Sequence, residues 1–212
     1  MKARYQDYTA LIVAAGCSRR MKKFKPLLPL GDGCILQSVI ENFLKAGVNR
    51  IIVVVGYRRH EVIPLLKKLK VRYVENRDYD ETDMLESIRL GLEAVKPDTA
   101  GILFCPGDVP LIFPKTIQQV IEAYEKQPGK ILVPTCRGEA GHPPIFSWGV
   151  AQQIIHHRGE NGLRGIIGEY ESRREVGYLE VDDEEILQDT DLPCDYERLL
   201  KAYEQRRKEG SL

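Results

Sequence analysis

The sequence predicts an α/β fold of three layers, α/β/α, in which a mostly parallel central sheet lies between helices. Three observations predict it. Short apolar runs rich in β-branched residues recur along the chain, stretches with helical spacing alternate with them four times, and turn-forming residues separate the two kinds of segment. Ligands in such sheets bind beyond the carboxyl ends of the strands, so a site is expected in the loops that follow them.

Five apolar runs are interpreted as buried parallel strands because they are continuous rather than alternating. They are Thr9–Ala14, Arg50–Val55, Val71–Val74, Gly101–Cys105 and Lys130–Pro134. Each of the four stretches between them carries apolar residues at helical spacing, such as Leu36, Ile40 and Phe43 in the first. We expect these stretches to be helices that pack on the sheet.

The second half of the chain breaks this alternation, and we interpret it as a cap that shapes a substrate pocket. Its predicted elements are a strand at Pro144–Phe146, helices near Val150–His157 and Leu163–Tyr170, a strand at Val176–Val181 and a terminal helix from Asp195. The residues from Glu204 to Leu212 are charged and lack apolar periodicity, so we expect them to fray.

The composition predicts one domain and excludes several classes of partner. A chain of 212 residues is long enough for a single large core. Basic and acidic residues number 31 each, so no duplex nucleic acid partner is expected. The five cysteines form no C-x-x-C pair, which predicts reduced thiols, and the first apolar run is too short for a signal sequence or a membrane span. A cytoplasmic protein is therefore expected.

The segment after the first strand combines small side chains with a dense group of cations. It runs from Val13 to Lys25 as V-A-A-G-C-S-R-R-M-K-K-F-K. Ala14–Gly16 leave backbone N–H groups free to approach a polyphosphate. Arg20 offers a planar fork of donors and Lys25 a mobile point charge, which suits a triphosphate whose leaving pyrophosphate gains charge. A solvated basic loop is the alternative that composition alone leaves open.

Neither common phosphate-binding motif occurs in this loop. The chain contains no G-x-x-x-x-G-K-[ST] run, and G-x-G-x-x-G is absent after the first strand. The sequence therefore argues against a P-loop ATPase and against a dinucleotide-dependent dehydrogenase.

The loop instead resembles the opening motif L-A-A-G-x-S-x-R-M-G-x-x-K of the MobA-like molybdopterin nucleotidyltransferases. The matching positions are Ala14, Ala15, Gly16, Ser18, Arg20, Met21 and Lys25, whereas Lys22 stands where the family usually has glycine. The resemblance implies a Rossmann-like, glycosyltransferase-A-like (GT-A-like) fold and a nucleotidyltransferase. It also implies that the Gly16 loop binds the phosphates and that Lys25 reaches them. The V-A-A-G form resembles the members that use CTP.

A single carboxylate, Asp108, follows the fourth predicted strand in a turn that Pro106 and Pro110 restrict. A carboxylate at this sheet edge suits Mg²⁺, which prefers one or two carboxylates plus substrate phosphates. The family's Asp-x-Pro motif implies that Asp108 is the metal ligand, although an ordinary turn aspartate is the alternative. Candidates for a second ligand remain open, namely Asp182, Asp183, Asp189 and Asp191.

The segment that contains two of these candidates, Asp189–Tyr196, resembles the family's D-I-D-T-P-E-D-Y signature. Its alternative interpretation is the capped start of the terminal helix, with Pro193 in the first turn.

Two further segments resemble parts of the family that contact substrates. Asn76–Ser87 is similar to its N…G-M-x-x-S stretch, which implies nucleotide binding by Asn76 and Ser87, although Asp83 and Glu86 depart from the pattern. The sequence Gly141-His142-Pro143 is similar to its G-[HN]-P segment and implies contact with the acceptor.

Arg164 lies in a stretch similar to the family's G-D-x-G-x-R, from which Glu160 and Asn161 depart. The resemblance places it on the acceptor side, where a guanidinium suits a phosphate. A surface arginine is the alternative.

These residues together predict transfer of a nucleoside monophosphate from an NTP, with CTP favoured, to a phosphorylated acceptor such as molybdopterin, in the presence of Mg²⁺. The predicted catalytic residues are Lys25, Arg20 and Asp108. We expect a nucleotide-binding half over about residues 1–130 and an acceptor-binding half over about 131–212. Two alternatives stay open: a pyrophosphorylase for a sugar or polyol phosphate, and a non-catalytic protein that delivers cofactor to a molybdenum enzyme.

Overall fold

A computed structural model describes residues 5–18, 20–21, 23–126, 129–157 and 162–210. Its strands are β1 (Tyr8–Ala14), β2 (Pro29–Leu30), β3 (Gly33–Cys34), β4 (Arg50–Val55), β5 (Arg72–Glu75), β6 (Gly101–Pro106), β7 (Ile131–Cys136), β8 (Glu139–Ala140), β9 (Ile145–Phe146) and β10 (Val176–Glu180). Its α-helices are α1 (Ile35–Ala46), α2 (Arg59–Lys68), α3 (Met84–Glu93), α4 (Pro114–Lys126), α5 (Trp148–His156), α6 (Gly162–Ser172) and α7 (Pro193–Glu209).

The central sheet has the order β10-β7-β9-β6-β1-β4-β5, and β8 pairs with β7. Strands β6, β1, β4 and β5 are mutually parallel, β10 is parallel to β7, and β9 runs antiparallel between β6 and β7. The prediction of a mostly parallel sheet is confirmed. Strands of the second half extend this sheet instead of forming a cap above it, because β9 and β10 pair directly with its members.

Helices cover both faces of the sheet, which confirms the three layers. Alternate residues of β1 point to opposite sides: Ile12 packs with α1, α2 and α4, and Leu11 packs with α3, α5 and α6. Burial on both faces explains why β1 is apolar without alternation.

The C-terminal helix α7 packs over the β2–β3 hairpin, and the prediction of a frayed tail is wrong for the described residues. The helix begins at Pro193 and continues to Glu209, where Gly210 ends it with a φ of 67°. Leu199 is buried against Leu30, and the Arg206 guanidinium lies 3.7 Å from the centre of the Phe113 ring. These contacts join residues distant in sequence, so apolar periodicity does not reveal them.

The remaining differences are small. Strand β5 is shifted by one residue, α5 begins at Trp148 after a Ser147 cap, and the β2–β3 hairpin was not predicted. All five cysteines are free, and three of them are buried, as expected for reduced thiols. No helix among the described residues is long and apolar enough to cross a membrane.

Candidate active site

The loops after β1 and β6 meet because these strands are neighbours in the sheet. Val13 lies opposite Pro106 in the register, and the Gly107 N–H donates a 2.9 Å hydrogen bond to the Val13 carbonyl. A Cβ atom at Gly107 would lie 2.9 Å from the Ala14 Cβ, so a glycine and an alanine are what allow this approach. The turn brings Asp108 beside the predicted phosphate loop.

Ser18 closes the predicted phosphate loop. It adopts a left-handed φ of 52°, and its hydroxyl accepts a 3.2 Å hydrogen bond from the backbone N–H of Lys25. The loop therefore folds back on itself and returns Lys25 to the end of β1. Positions 19 and 22 lie outside the described residues, so the effect of Lys22 in place of glycine stays open.

Lys25 places its ammonium between two carboxylates that are far apart in sequence. Its Nζ lies 3.0 Å from Asp108 Oδ2 and 2.5 Å from Asp191 Oδ1. The Arg20 guanidinium pairs with the other oxygen of Asp191 at 2.7 Å. All three residues predicted to be catalytic, Lys25, Arg20 and Asp108, thus belong to one charged cluster, which Asp191 completes.

Asp191 reaches the cluster because Thr190 fastens its loop to the β6 turn. Thr190 is buried, and its hydroxyl donates a 3.1 Å hydrogen bond to the Asp108 backbone carbonyl. The loops that carry Asp108 and Asp191 are therefore held together in two ways, by the Lys25 ammonium that both carboxylates share and by the Thr190 hydrogen bond to the Asp108 main chain.

The other three candidates for a second metal ligand differ from Asp191. Asp182 is exposed. Asp183 is buried and accepts hydrogen bonds from the Phe113 N–H at 3.0 Å and from the Thr116 hydroxyl at 2.7 Å, so it supports the fold. Asp189 lines the cavity beside the cluster without an ion pair of its own among those found in the described residues.

Replacing Asp183 with alanine should lower the free energy of unfolding by about 3 to 5 kcal/mol, because buried donors would lose their acceptor. Urea denaturation of Asp183→Ala against Asp182→Ala, its exposed neighbour, measures this. Equal stability of the two variants would contradict the structural role of Asp183.

The charged cluster opens into a cavity of about 620 Å³ at the carboxyl edge of the sheet. Its lining includes the predicted residues Ala14, Gly16, Ser18, Arg20, Lys25, Asp108, His142 and Arg164. The structure therefore brings together residues from the predicted phosphate, metal and acceptor segments at one site.

The sequence model of the MobA-like NTP transferase domain matches residues 10–175, which contain most of this cavity's lining. The chain belongs to this family. Membership makes it a nucleotidyltransferase and confirms the family that the first loop indicates.

Individual relatives of the MobA-like chain agree with this membership. The molybdenum cofactor cytidylyltransferase of Escherichia coli is 29% identical over 91% of this chain and 95% of its own length. The bifunctional protein GlmU of a Picosynechococcus species is 31% identical over 69% of this chain but only 34% of its own length.

Solved structures of one similar protein also cover almost the whole MobA-like chain. Rv0371c of Mycobacterium tuberculosis has a TM-score of 0.77 at 27% identity, covering 92% of this chain and 97% of that one. A second structure of Rv0371c, in complex with manganese, has a TM-score of 0.74. The prediction of a GT-A-like nucleotidyltransferase fold is confirmed.

The structure does not bring the Asn76 and Ser87 side chains of the MobA-like domain to the cavity. Both are buried, and the Asn76 amide donates a 3.0 Å hydrogen bond to the Ser87 hydroxyl and a 3.1 Å bond to Thr82. These bonds hold the loop before α3 in shape. Asp83 and Glu86 stand at the two positions that depart from the family pattern. Their carboxylates make contacts within α3, where Asp83 caps the helix and Glu86 pairs with Arg89.

Ala15 likewise is buried and contributes backbone only, because its carbonyl accepts a 3.0 Å hydrogen bond from the Tyr57 N–H. A Cβ at Gly56 would lie 3.0 Å from the Ala15 Cβ, so Gly56 is what allows the two segments to approach this closely. The second alanine of the V-A-A-G segment therefore packs against Gly56, and phosphate binding by this segment stays a prediction.

The predicted acceptor segment contributes His142 to the lining of the same cavity as Lys25. Gly141 is packed so tightly against Ile186 that a Cβ there would lie 2.7 Å from the Ile186 carbonyl oxygen, and Pro143 is buried. Arg164, near the start of α6, lines the cavity as predicted. Glu160 and Asn161 lie outside the described residues.

A second lobe of about 700 Å³ adjoins this cavity. The two share Met84, Phe104, Ala140, His142 and Arg164. Most of the second lobe's lining is apolar, and it includes Phe104, which the sequence patterns did not indicate as a site residue. A large aromatic residue near the carboxyl end of a predicted strand is the signal that would have found it.

His142 stays neutral near pH 7 because burial lowers the pKa of its imidazole from 6.5 to about 4, against the smaller opposing effect of the Asp108 charge. Its Nδ1 is buried and has no hydrogen-bond partner within the described part of the chain. The ring lies edge-on to Phe104, with centroids 5.9 Å apart.

We expect His142 to make stability depend on pH. The unfolded chain binds a proton at a higher pH than the folded protein does, so acidification favours unfolding. Between about pH 7 and about pH 4.5 this residue should remove about 2 to 3 kcal/mol of unfolding free energy. Urea denaturation of wild type and His142→Asn at both pH values isolates the effect, and identical pH dependence in the two proteins would contradict it.

The charges in the cluster affect one another's protonation. Burial alone lowers the pKa of Lys25, but the charge of Asp108 and hydrogen bonds to Asp191 and Asp108 outweigh it and raise this pKa. Burial and the charges of Asp191 and Asp108 raise the pKa of Asp189. Lys25 therefore stays a cation.

The pair Asp108 and Asp191 fits a divalent metal that is shared with substrate. No group of three or more His, Cys, Asp or Glu side chains in the described residues is arranged to hold a metal ion by itself. The two carboxylates already converge on the Lys25 ammonium, and the adjoining cavity has room for phosphate oxygens. This donor set is the one that Mg²⁺ prefers.

Proposed function

We propose that this protein transfers the cytidine monophosphate of CTP to the phosphate of molybdopterin and releases pyrophosphate. The observation that carries the proposal is the convergence of Lys25, Arg20, Asp108 and Asp191 beside the V-A-A-G turn, at the mouth of one cavity. The first two supply positive charge for a triphosphate, and the last two supply ligands for a divalent cation.

The nucleotide is assigned to the side of the cavity formed by the loop after β1. Backbone N–H groups near Gly16 would bind phosphate oxygens because the small side chains there leave them accessible. Asn76 and Ser87 would act by holding the loop before α3 in place, not by direct contact. The choice of CTP is supported by the V-A-A-G pattern and by similarity to the Escherichia coli cytidylyltransferase.

The reaction needs no general base on the protein. The second pKa of a phosphomonoester is about 6, so its attacking oxygen is largely ionised at neutral pH. That oxygen forms a bond to the α-phosphorus of CTP while the bond from this phosphorus to the bridging oxygen breaks, and pyrophosphate leaves. Lys25 and Arg20 neutralise the charge that develops on the leaving group.

Asp108 and Asp191 are the residues that would hold Mg²⁺. When bound there, the metal would supply further charge neutralisation on the phosphate oxygens. Thr190 keeps the two carboxylates at a common position through its hydrogen bond to the Asp108 carbonyl.

We place the acceptor in the second lobe. In this proposal the chain forms one domain, and its nucleotide-binding half and its acceptor-binding half meet near residue 130. Arg164 lies where the lobe joins the first cavity, so it would bind the acceptor phosphate. The lobe has apolar walls, which include Met84, Phe104 and Ile167. Such walls suit a flat heterocyclic ring, because the faces of the ring carry no hydroxyl groups that the walls would leave without hydrogen-bond partners.

A sugar or polyol phosphate is the second candidate acceptor. Glu171 and Tyr178 lie in the lobe and form a hydrogen bond with each other. This pair would offer hydrogen-bond partners to the hydroxyl groups of a sugar or polyol.

The test measures pyrophosphate release from each of the four NTPs with molybdopterin, sugar phosphates and polyol phosphates as acceptors. We expect release that requires Mg²⁺, CTP and molybdopterin together and that Asp108→Asn abolishes. Release with a different acceptor alone would replace molybdopterin in the proposal. Absence of release from every pair of NTP and acceptor would favour a carrier role. The matched control for Asp108→Asn is Asp182→Asn, which should release pyrophosphate as wild type does.

A further inference from the structure

The ammonium of Lys25 takes the position that a divalent cation needs. It lies 3.0 Å from Asp108 and 2.5 Å from Asp191, and its side chain is only 10% exposed. Mg²⁺ bound to the same two oxygens would lie about 2.0 to 2.1 Å from each. Two cations cannot share that space, because their repulsion and overlap would exceed what the carboxylates offer.

The two carboxylates do not depend on Lys25 to the same degree. Asp191 keeps Arg20 as a second partner on its other oxygen, at 2.7 Å. For Asp108, Lys25 is the single side-chain ion-pair partner found in the described residues. Departure of the ammonium would therefore leave Asp108 with an uncompensated charge unless another cation replaced it.

The backbone of Lys25 is held by a neighbouring residue of the loop, whereas its flexible side chain is held by ion pairs with Asp108 and Asp191. The backbone N–H is fixed by the Ser18 hydroxyl, and the flexible stem allows the ammonium to swing towards anions bound near Gly16 and Ser18. A triphosphate placed there would attract the ammonium away from the carboxylates and would itself add oxygen ligands beside them.

We propose that Lys25 is an internal cation that keeps the Asp108–Asp191 pair closed to divalent metal until a triphosphate draws it away. Metal alone then binds weakly, and metal and nucleotide promote each other's binding, as thermodynamic linkage requires. The inference rests on the proposed function in taking the triphosphate as the anion, but competition between Lys25 and metal is a property of the protein alone.

The experiment measures Mn²⁺ binding without nucleotide, from the electron paramagnetic resonance signal of free Mn²⁺. Lys25→Met removes the charge and retains most of the apolar stem. We expect it to bind Mn²⁺ more tightly than wild type, by a factor of about 5 to 150, the usual range of coupling between sites. Lys25→Arg retains the charge and should bind Mn²⁺ as weakly as wild type.

Two controls assign the gain to this site. Lys23→Met removes a charge from an exposed position of the same loop and should leave Mn²⁺ affinity unchanged. The double variant Lys25→Met/Asp108→Asn should lose the gain. Lys25→Gln replaces Lys25→Met if circular dichroism shows that the methionine variant is unfolded.

The inference is overturned if folded Lys25→Met or Lys25→Gln binds Mn²⁺ no more tightly than wild type, or if the gain survives in the double variant. Failure of the proposed function gives a different result, because no NTP would then release pyrophosphate. The difference in Mn²⁺ affinity between wild type and the Lys25 variants would not change.

Discussion

Replacing Asp191 with asparagine should lower the rate of pyrophosphate release by about 10²- to 10³-fold, the range seen when one preorganised electrostatic contact is removed from an active site. Asparagine keeps the shape of the side chain and removes the charge that faces Lys25 and Arg20. The variant should also need more Mg²⁺ for half-maximal rate, because a neutral amide is a weaker ligand than a carboxylate.

The measurement is a steady-state assay of Asp191→Asn at increasing Mg²⁺, with Asp182→Asn as the matched control. Asp182 lies in the same acidic region of the chain but is exposed. An equal loss in both variants, or full activity in Asp191→Asn, would show that the second carboxylate of the site lies elsewhere.

Replacing Lys25 with methionine should lower kcat by about 10²- to 10³-fold, because the leaving pyrophosphate would lose the Lys25 cation that the proposed function places beside it. The effect should fall on kcat more than on the acceptor KM, since Lys25 lines the first cavity but not the second lobe, to which the acceptor is assigned. Lys25→Arg should recover part of the rate, because a guanidinium keeps the charge but not the compact shape of an ammonium.

Lys23→Met is the control for this loss, since Lys23 is an exposed cation two residues away. Its rate should equal that of wild type. Unchanged turnover in Lys25→Met would remove Lys25 from the catalytic residues, and a loss shared by Lys23→Met would indicate a general effect of charge on nucleotide attraction.

The first loop and the turn after β6 are the parts of the candidate site that were predictable. Both are short segments in which a strand, a turn and a few charged residues follow one another in sequence, so local pattern contains the necessary information. Asp108 was assigned from its place at a strand end, and the parallel pairing of β1 with β6 sets it beside Lys25.

The choice among four aspartates was beyond sequence reasoning. Asp182, Asp183, Asp189 and Asp191 share one residue type within ten positions of the chain. Their different roles follow from which side of the loop faces the protein interior. Asp183 is directed to α4, whereas Asp191 is directed to Lys25, 166 positions earlier.

The amino-acid sequence by itself determined the alternation of strands and helices, the expectation of three layers, the predicted phosphate loop and the first carboxylate, because these predictions follow from patterns of residues close together in the chain. Only the tertiary structure decided that Asp191 completes the charged cluster, that Asn76 and Ser87 face each other, and that α7 continues to Glu209. The physical reason is that these features depend on contacts across the fold, whose energies no local periodicity records.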